Sequence, residues 1–208
     1  MESDVGAATG RQQPRGKARS GNKGVNLGRF APIVHHPMPA TLEISESLIR
    51  ENISHAVINV FETMLRCPIS LCDPMESWPP PSTSASAEPQ IVGAVGFLGD
   101  VNGLIYLYFQ SSFAANCTGK MLGLDKREVE AGGATVVNDA IGEITNMIVG
   151  NFKNCLCDAG LPCKLTVPSI LRGMDLKINA TGHSIRYSFL FDAEGQHLVA
   201  DIIMKGDQ

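Results

Sequence analysis

Residues 138–154, NDAIGEITNMIVGNFKN, constrain this chain more than any other stretch. Val137, Ala140, Ile141, Ile144, Met147 and Ile148 recur at three- and four-residue spacing, the period of an amphipathic helix. At about 100° per residue, Asp139, Glu143, Asn146 and Gly150 form a second stripe, nearly opposite the Ile141/Ile144/Ile148 face. Residues three apart on a helix are neighbours, with Cβ atoms roughly 5–6 Å apart. The carboxylate of Glu143 and the carboxamide of Asn146 are therefore expected to reach solvent as one unit, with Gly150 leaving the surface bare one turn on.

The rest of the chain places this helix in an α+β domain. Apolar spacing predicts a helix over 45–65, capped by Ser45 or Ser47 and ended by Pro68. Residues 73–90, rich in Pro and Ser and containing Trp78, read as a long loop. Ile91–Leu98 and Leu104–Gln110 read as a hairpin, with Asn102-Gly103 supplying positive φ at the turn. The unbroken run Ile105–Phe109 predicts a strand covered at least in part on both faces. Ser111 or Ser112 opens a short helix closed by Gly123, and the long helix runs from about 129 to 157, ended by Gly160. Strands are expected at 164–168 and 175–180, then a hairpin of 183–191 and 196–205. Grouped hairpins rather than βαβ units point to a mainly antiparallel sheet, covered on one face by the two long helices.

Composition divides the chain. Residues 1–40 carry six basic residues against Glu2 and Asp4, or +4, so the total of −4 leaves −8 for the remainder. This basic segment has no periodicity and reads as a disordered tail on a domain spanning 41–208. It lacks the interleaved aromatics that stack on bases, so nucleic acid is not the expected partner. No apolar run is long enough to span a membrane and no secretory leader is visible, so the chain reads as cytoplasmic with reduced cysteines. Cys155, Cys157, Cys163 and His183 do not have the spacing of a zinc ribbon or finger. No P-loop or nucleophile elbow is present, and Gly93-x2-Gly96-x2-Gly99 is not a dinucleotide fingerprint. The polar helix stripe is what remains as a candidate site.

Asp139-x3-Glu143-x2-Asn146, followed 22 positions later by Pro168, resembles the hallmark of the CheX/CheC/FliY phosphatases of bacterial chemotaxis. IGEITNMIVG and PSILRGMDLKI look like the CheX branch, and the resemblance covers about residues 50–205. CheC-type members tend to repeat the motif on the first long helix. Here Glu62 has Leu65 where an Asn would stand, so there is one copy, as in CheX.

The resemblance implies an aspartyl-phosphate phosphatase acting on a CheY-type receiver domain of a response regulator. In such a pair the receiver brings its own Mg²⁺ and the phosphatase needs no cofactor. Glu143 and Asn146 would be the catalytic residues, with Asn146 orienting the attacking water and Glu143 also pairing with a receiver lysine. Asp139 and Gly150 would belong to the partner-binding surface, and Pro168 would shape the neighbouring loop or strand. Homodimerisation is implied too, with the C-terminal hairpin a candidate edge. The alternatives are a non-catalytic module of the same fold that binds a receiver or a flagellar partner, and tail-driven association with nucleic acid or membrane.

Overall fold

The computed structural model describes residues 44–72, 88–174, 176–180 and 182–206. The expectations for the 1–40 tail, for most of the 73–90 loop and for Trp78 fall outside those residues. The folded unit is α+β: one seven-stranded antiparallel sheet with helices on one face.

Helix α1 spans Glu46–Met64, and Ser45 caps it by accepting the Leu48 N–H. Strand β1 is only Ser70–Leu71. The hairpin β2 (Gln90–Gly99) and β3 (Gly103–Gln110) leads into helix α2 (Ser111–Leu122), which ends on Gly123 in the left-handed region. Helix α3 runs Lys126–Asp158. Strands β4 (Cys163–Leu165), β5 (Ser169–Gly173), β6 (Ser184–Ala193) and β7 (Gln196–Lys205) complete the fold. The strand order is β1-β6-β7-β3-β2-β4, and β5 also pairs with β2, on the same side as β4.

Odd and even positions of the strands separate two environments, as the period of two requires. Ile91, Val95 and Phe97 of β2, Ile105, Leu107 and Phe109 of β3, and Leu198, Ala200 and Ile202 of β7 are buried beneath the helices. α1 contributes Ile49, Ile53, Val57 and Phe61, and α3 contributes Ile141, Ile144, Ile148 and Phe152. Val92, Tyr108, Leu190 and Val199 form a smaller cluster on the outer face. The prediction that β3 is covered on both sides therefore holds.

The two long helices cover the sheet as expected, and the short α2 joins them by burying Phe113, Ala114 and Cys117 in the same core. Several sequence expectations are corrected. The β2–β3 turn does not use positive φ at Asn102-Gly103. It is closed by the Asn102 carboxamide, which accepts from the Gly99 N–H and donates to the Gly99 carbonyl. Ser111 does not cap α2; its hydroxyl donates to the Pro89 carbonyl, and Gln110 occupies the cap position. α3 starts three residues before Val129 on an Asp125/Glu128 capping box and is kinked at Gly133, where φ is 64°. Residues 176–180 form no strand: Leu176 and Ile178 pack instead on the outer-face cluster. β6 lies near one edge of the sheet with only β1 beyond it, whereas β7 is interior.

Candidate functional site

α3 lies along the β4–β5 edge of the sheet. Its first half sits by β5, where Arg172 donates to Asn138 Oδ1 and to the Ala134 carbonyl, and Gly142 approaches the Ile170 side chain. Its second half borders β4, with a shallow groove between them lined by Asn146, Gly150, Lys153, Asn154, Cys163, Lys164 and Leu165. The inner face of this half is anchored by Ile144, Thr145, Ile148 and Val149, all buried. Thr145 satisfies its buried hydroxyl by donating to the Ile141 carbonyl at 2.7 Å.

The periodicity reading of the stripe holds. Asp139 and Glu143 are exposed, and Asn146 and Gly150 are half-buried, on the side of the helix away from its core face. Among the described residues, the side chains of Glu143 and Asn146 make no hydrogen bond or ion pair. Asn146 thus presents a donor and an acceptor with no internal claim on either. Gly150 lies in the groove, and a Cβ there would meet nothing within 4 Å. Its bareness is not required by packing within the domain.

Pro168 lies between β4 and β5. β4 pairs Leu165 with Phe97, and β5 pairs Ser169 with Ala94. Val95 and Gly96 therefore face three residues, Thr166, Val167 and Pro168, which makes a β-bulge. Proline has no N–H for a ladder and is tolerated at such a position. The motif's downstream proline thus marks a break in the edge strand alongside the Asn146 turn.

Sequence reasoning did not identify Lys153 and Lys164 as neighbours of the stripe. Lys153 follows Asn146 by seven residues, two helical turns, which is a readable signal. Lys164 arrives only through the fold. Among the described residues, no group of three or more His, Cys, Asp or Glu side chains is placed to hold a metal ion.

The family model of chemotaxis phosphatase CheX matches residues 91–192, which contain the whole motif. Over those residues the chain is CheX-like. Its fold is similar to CheX from Vibrio vulnificus at 21% identity and TM-score 0.62, covering 80% of this chain and 99% of that one. It is similar to a chain of the CheX–CheY–BeF3–Mg²⁺ complex from Borrelia burgdorferi at 20% identity and TM-score 0.57, covering 76% and 98%. FliY from Thermotoga maritima matches at 16% identity and TM-score 0.55, covering 80% and 93%. No curated protein matches the sequence. No helix among the described residues is long and apolar enough to cross a membrane.

Proposed function

We propose that this protein hydrolyses the aspartyl phosphate of a CheY-type receiver domain, with Asn146 as the catalytic side chain. The observation that carries this reading is the pair Glu143 and Asn146, one turn apart and, among the described residues, without a side-chain hydrogen bond or ion pair. The family match and the fold shared with a chain of a CheX–CheY complex support the choice of partner.

Phosphoryl transfer asks a protein mainly for positioning and charge stabilisation. The receiver would supply the phosphoryl group and its Mg²⁺. Asn146 can accept from one water proton through its carbonyl oxygen and donate through its NH₂, which fixes that water in line with phosphorus. Glu143 would fix the register by pairing with a cation of the receiver, a lysine in the simplest case. Asp139, one turn earlier, and Gly150, one turn later, would extend the contact along the same helix.

The test is phosphate release from a phosphorylated CheY-type receiver, with and without this protein. Release well above the receiver's own rate supports the proposal. Binding without accelerated release would instead favour the non-catalytic adaptor reading. Glu143→Ala is expected to weaken receiver binding, and unchanged affinity would remove its docking role. A homodimer belongs to the same proposal, and sedimentation would test it.

A further inference from the structure

The bulge at the β4–β5 junction has a built support. The Thr166 N–H donates to the Gly96 carbonyl at 2.9 Å, and the Gly96 N–H donates to Thr166 Oγ1 at 2.8 Å. Gly96 makes room for this clamp, since a Cβ there would come within 3.0 Å of Thr166 Cγ2. Immediately after this anchored residue the extra residue leaves the ladder. Val167 and Pro168 both oppose Val95, whose side chain lies in the core beneath the helices. The Thr166 side chain meets Gly96 on the face away from the helices, so alternation puts Val167 on the helix side of the sheet. Val167 is 83% exposed, the most exposed large apolar side chain among the described residues.

Its position relative to the stripe follows from its neighbours. Leu165, two residues earlier, lines the groove with Asn146. Ile170, three residues later, lies beside Gly142, one helical turn before Asn146. Val167 thus stands at the sheet edge level with the Glu143–Asn146 turn and on the same side.

We infer that Val167 is the apolar contact that seats a phosphorylated receiver domain against Asn146. This inference rests on the function proposed above. An aspartyl phosphate held in a cleft of a folded partner reaches the Asn146 carboxamide only if the cleft's rim covers the surface around that residue, and Val167 lies in that surface. Burying a β-branched side chain there is favourable and needs no directional partner. Val167 reaches no reacting atom, so it acts on affinity and on the choice of receiver rather than on the chemical step. The partner it fits is a receiver with an apolar patch at the rim of its phosphorylated cleft.

The experiment is steady-state dephosphorylation of a phosphorylated receiver by Val167→Ala, Val167→Asp and Val167→Ile, alongside binding to the same receiver carrying beryllofluoride. Val167→Ala is expected to raise KM and Kd about 5–10-fold, and Val167→Asp more, with kcat within about 2-fold of wild type. Val167→Ile should retain wild-type affinity. The side chain is exposed, so thermal midpoints should stay close to wild type and loss of folding should not confuse the result. Unchanged KM and Kd in Val167→Asp would overturn the inference, as would a fall in kcat alone. If Val167→Asp changes the oligomeric state and leaves receiver Kd unchanged, the residue serves contact between copies of the chain, and the inference fails. If wild type binds the receiver but releases no phosphate, the catalytic proposal fails while Kd of the variants still decides the role of Val167. If wild type binds no receiver, both fail.

Discussion

Gly93 of β2 and Thr145 of α3 meet with no room for another atom: a Cβ on Gly93 would stand 2.0 Å from Thr145 Oγ1. Thr145 is fully buried and immediately precedes Asn146. Glycine in a strand marks a close backbone approach. This contact sets the height of the helix above the sheet, and with it the height of the stripe above the edge strand.

Gly93→Ala is expected to lower stability by about 2–3 kcal/mol through overpacking. Thr145→Ala removes the nearest atom, Oγ1, together with Cγ2, so the double variant should lose less than the sum of the two single changes. Urea titrations of the four proteins measure this coupling. Strict additivity would mean that the two residues do not set the spacing.

Gly150 presents the opposite case. It lies within α3 with open space where a Cβ would go. Gly150→Ala should stabilise the domain by about 0.5–1 kcal/mol, because alanine is the better helix former. If the bare backbone serves a partner's approach, the same variant should bind a receiver more weakly despite its higher thermal midpoint. Gain in both would confine Gly150 to a bystander in the groove.

On the outer face, Arg186 Nε donates to Asp201 Oδ1 at 2.8 Å and Arg186 Nη2 to Asp201 Oδ2. Ser188 donates to the same carboxylate, and Asp201 is 1% exposed. This pair raises the Arg186 pKa, its hydrogen bond to Asp201 being the largest cause. Removing one partner strands a buried charge. Arg186 is partly exposed and Ser188 remains, so Arg186→Ala should cost about 2–3 kcal/mol, below the range for a fully buried pair. The site lies across the sheet, so activity per folded molecule should stay at the wild-type level. A large fall in kcat at a temperature where the variant is folded would link the two faces.

Alkaline pH should weaken the fold in a traceable way. Burial pushes the Cys117 thiol from 9.0 up to about 12, with Cys67 adding to the shift and Lys120 opposing it. A folded pKa above the unfolded one gives stability that is complete below pH about 9 and is lost as pH rises toward 12. Burial also raises Tyr108 and Tyr106, and Asp201 acts in the same direction on both. The stability difference between wild type and Cys117→Ala should be flat from pH 7 to about 8.5 and shrink above it. A constant difference up to pH 11 would show that the thiol is not held protonated.

The stripe was legible because burial and exposure on a helix follow sequence spacing directly, and α3 obeys that spacing from Val137 to Leu156. The hairpins and the glycine stop of α2 were legible for the same local reasons. The start of α3 was also written in the chain: Asp125-x2-Glu128 is a capping-box pattern that an apolar-period reading passes over. β5 was not legible, since Ser169–Gly173 is an edge strand whose pattern of exposure lacks clean alternation. Leu176 and Ile178 alternate like a strand, yet they pack on the outer face without a ladder. The bulge was beyond any local signal. It is a difference in register between two short strands against β2, visible only once both pairings are known. Lys164 reaches the groove beside Asn146 only through the pairing of β4 with β2.

The central claim is that the Asn146 carboxamide performs the chemistry rather than the docking. The most direct measurement is phosphate release from a saturating phosphorylated CheY-type receiver by wild type and Asn146→Ala, with receiver affinity measured on the same proteins. The expected result is a kcat about 10²-fold lower in Asn146→Ala with affinity nearly unchanged, as for loss of one group that acts in the transition state. An Asn146→Ala protein that releases phosphate as fast as wild type would contradict the account.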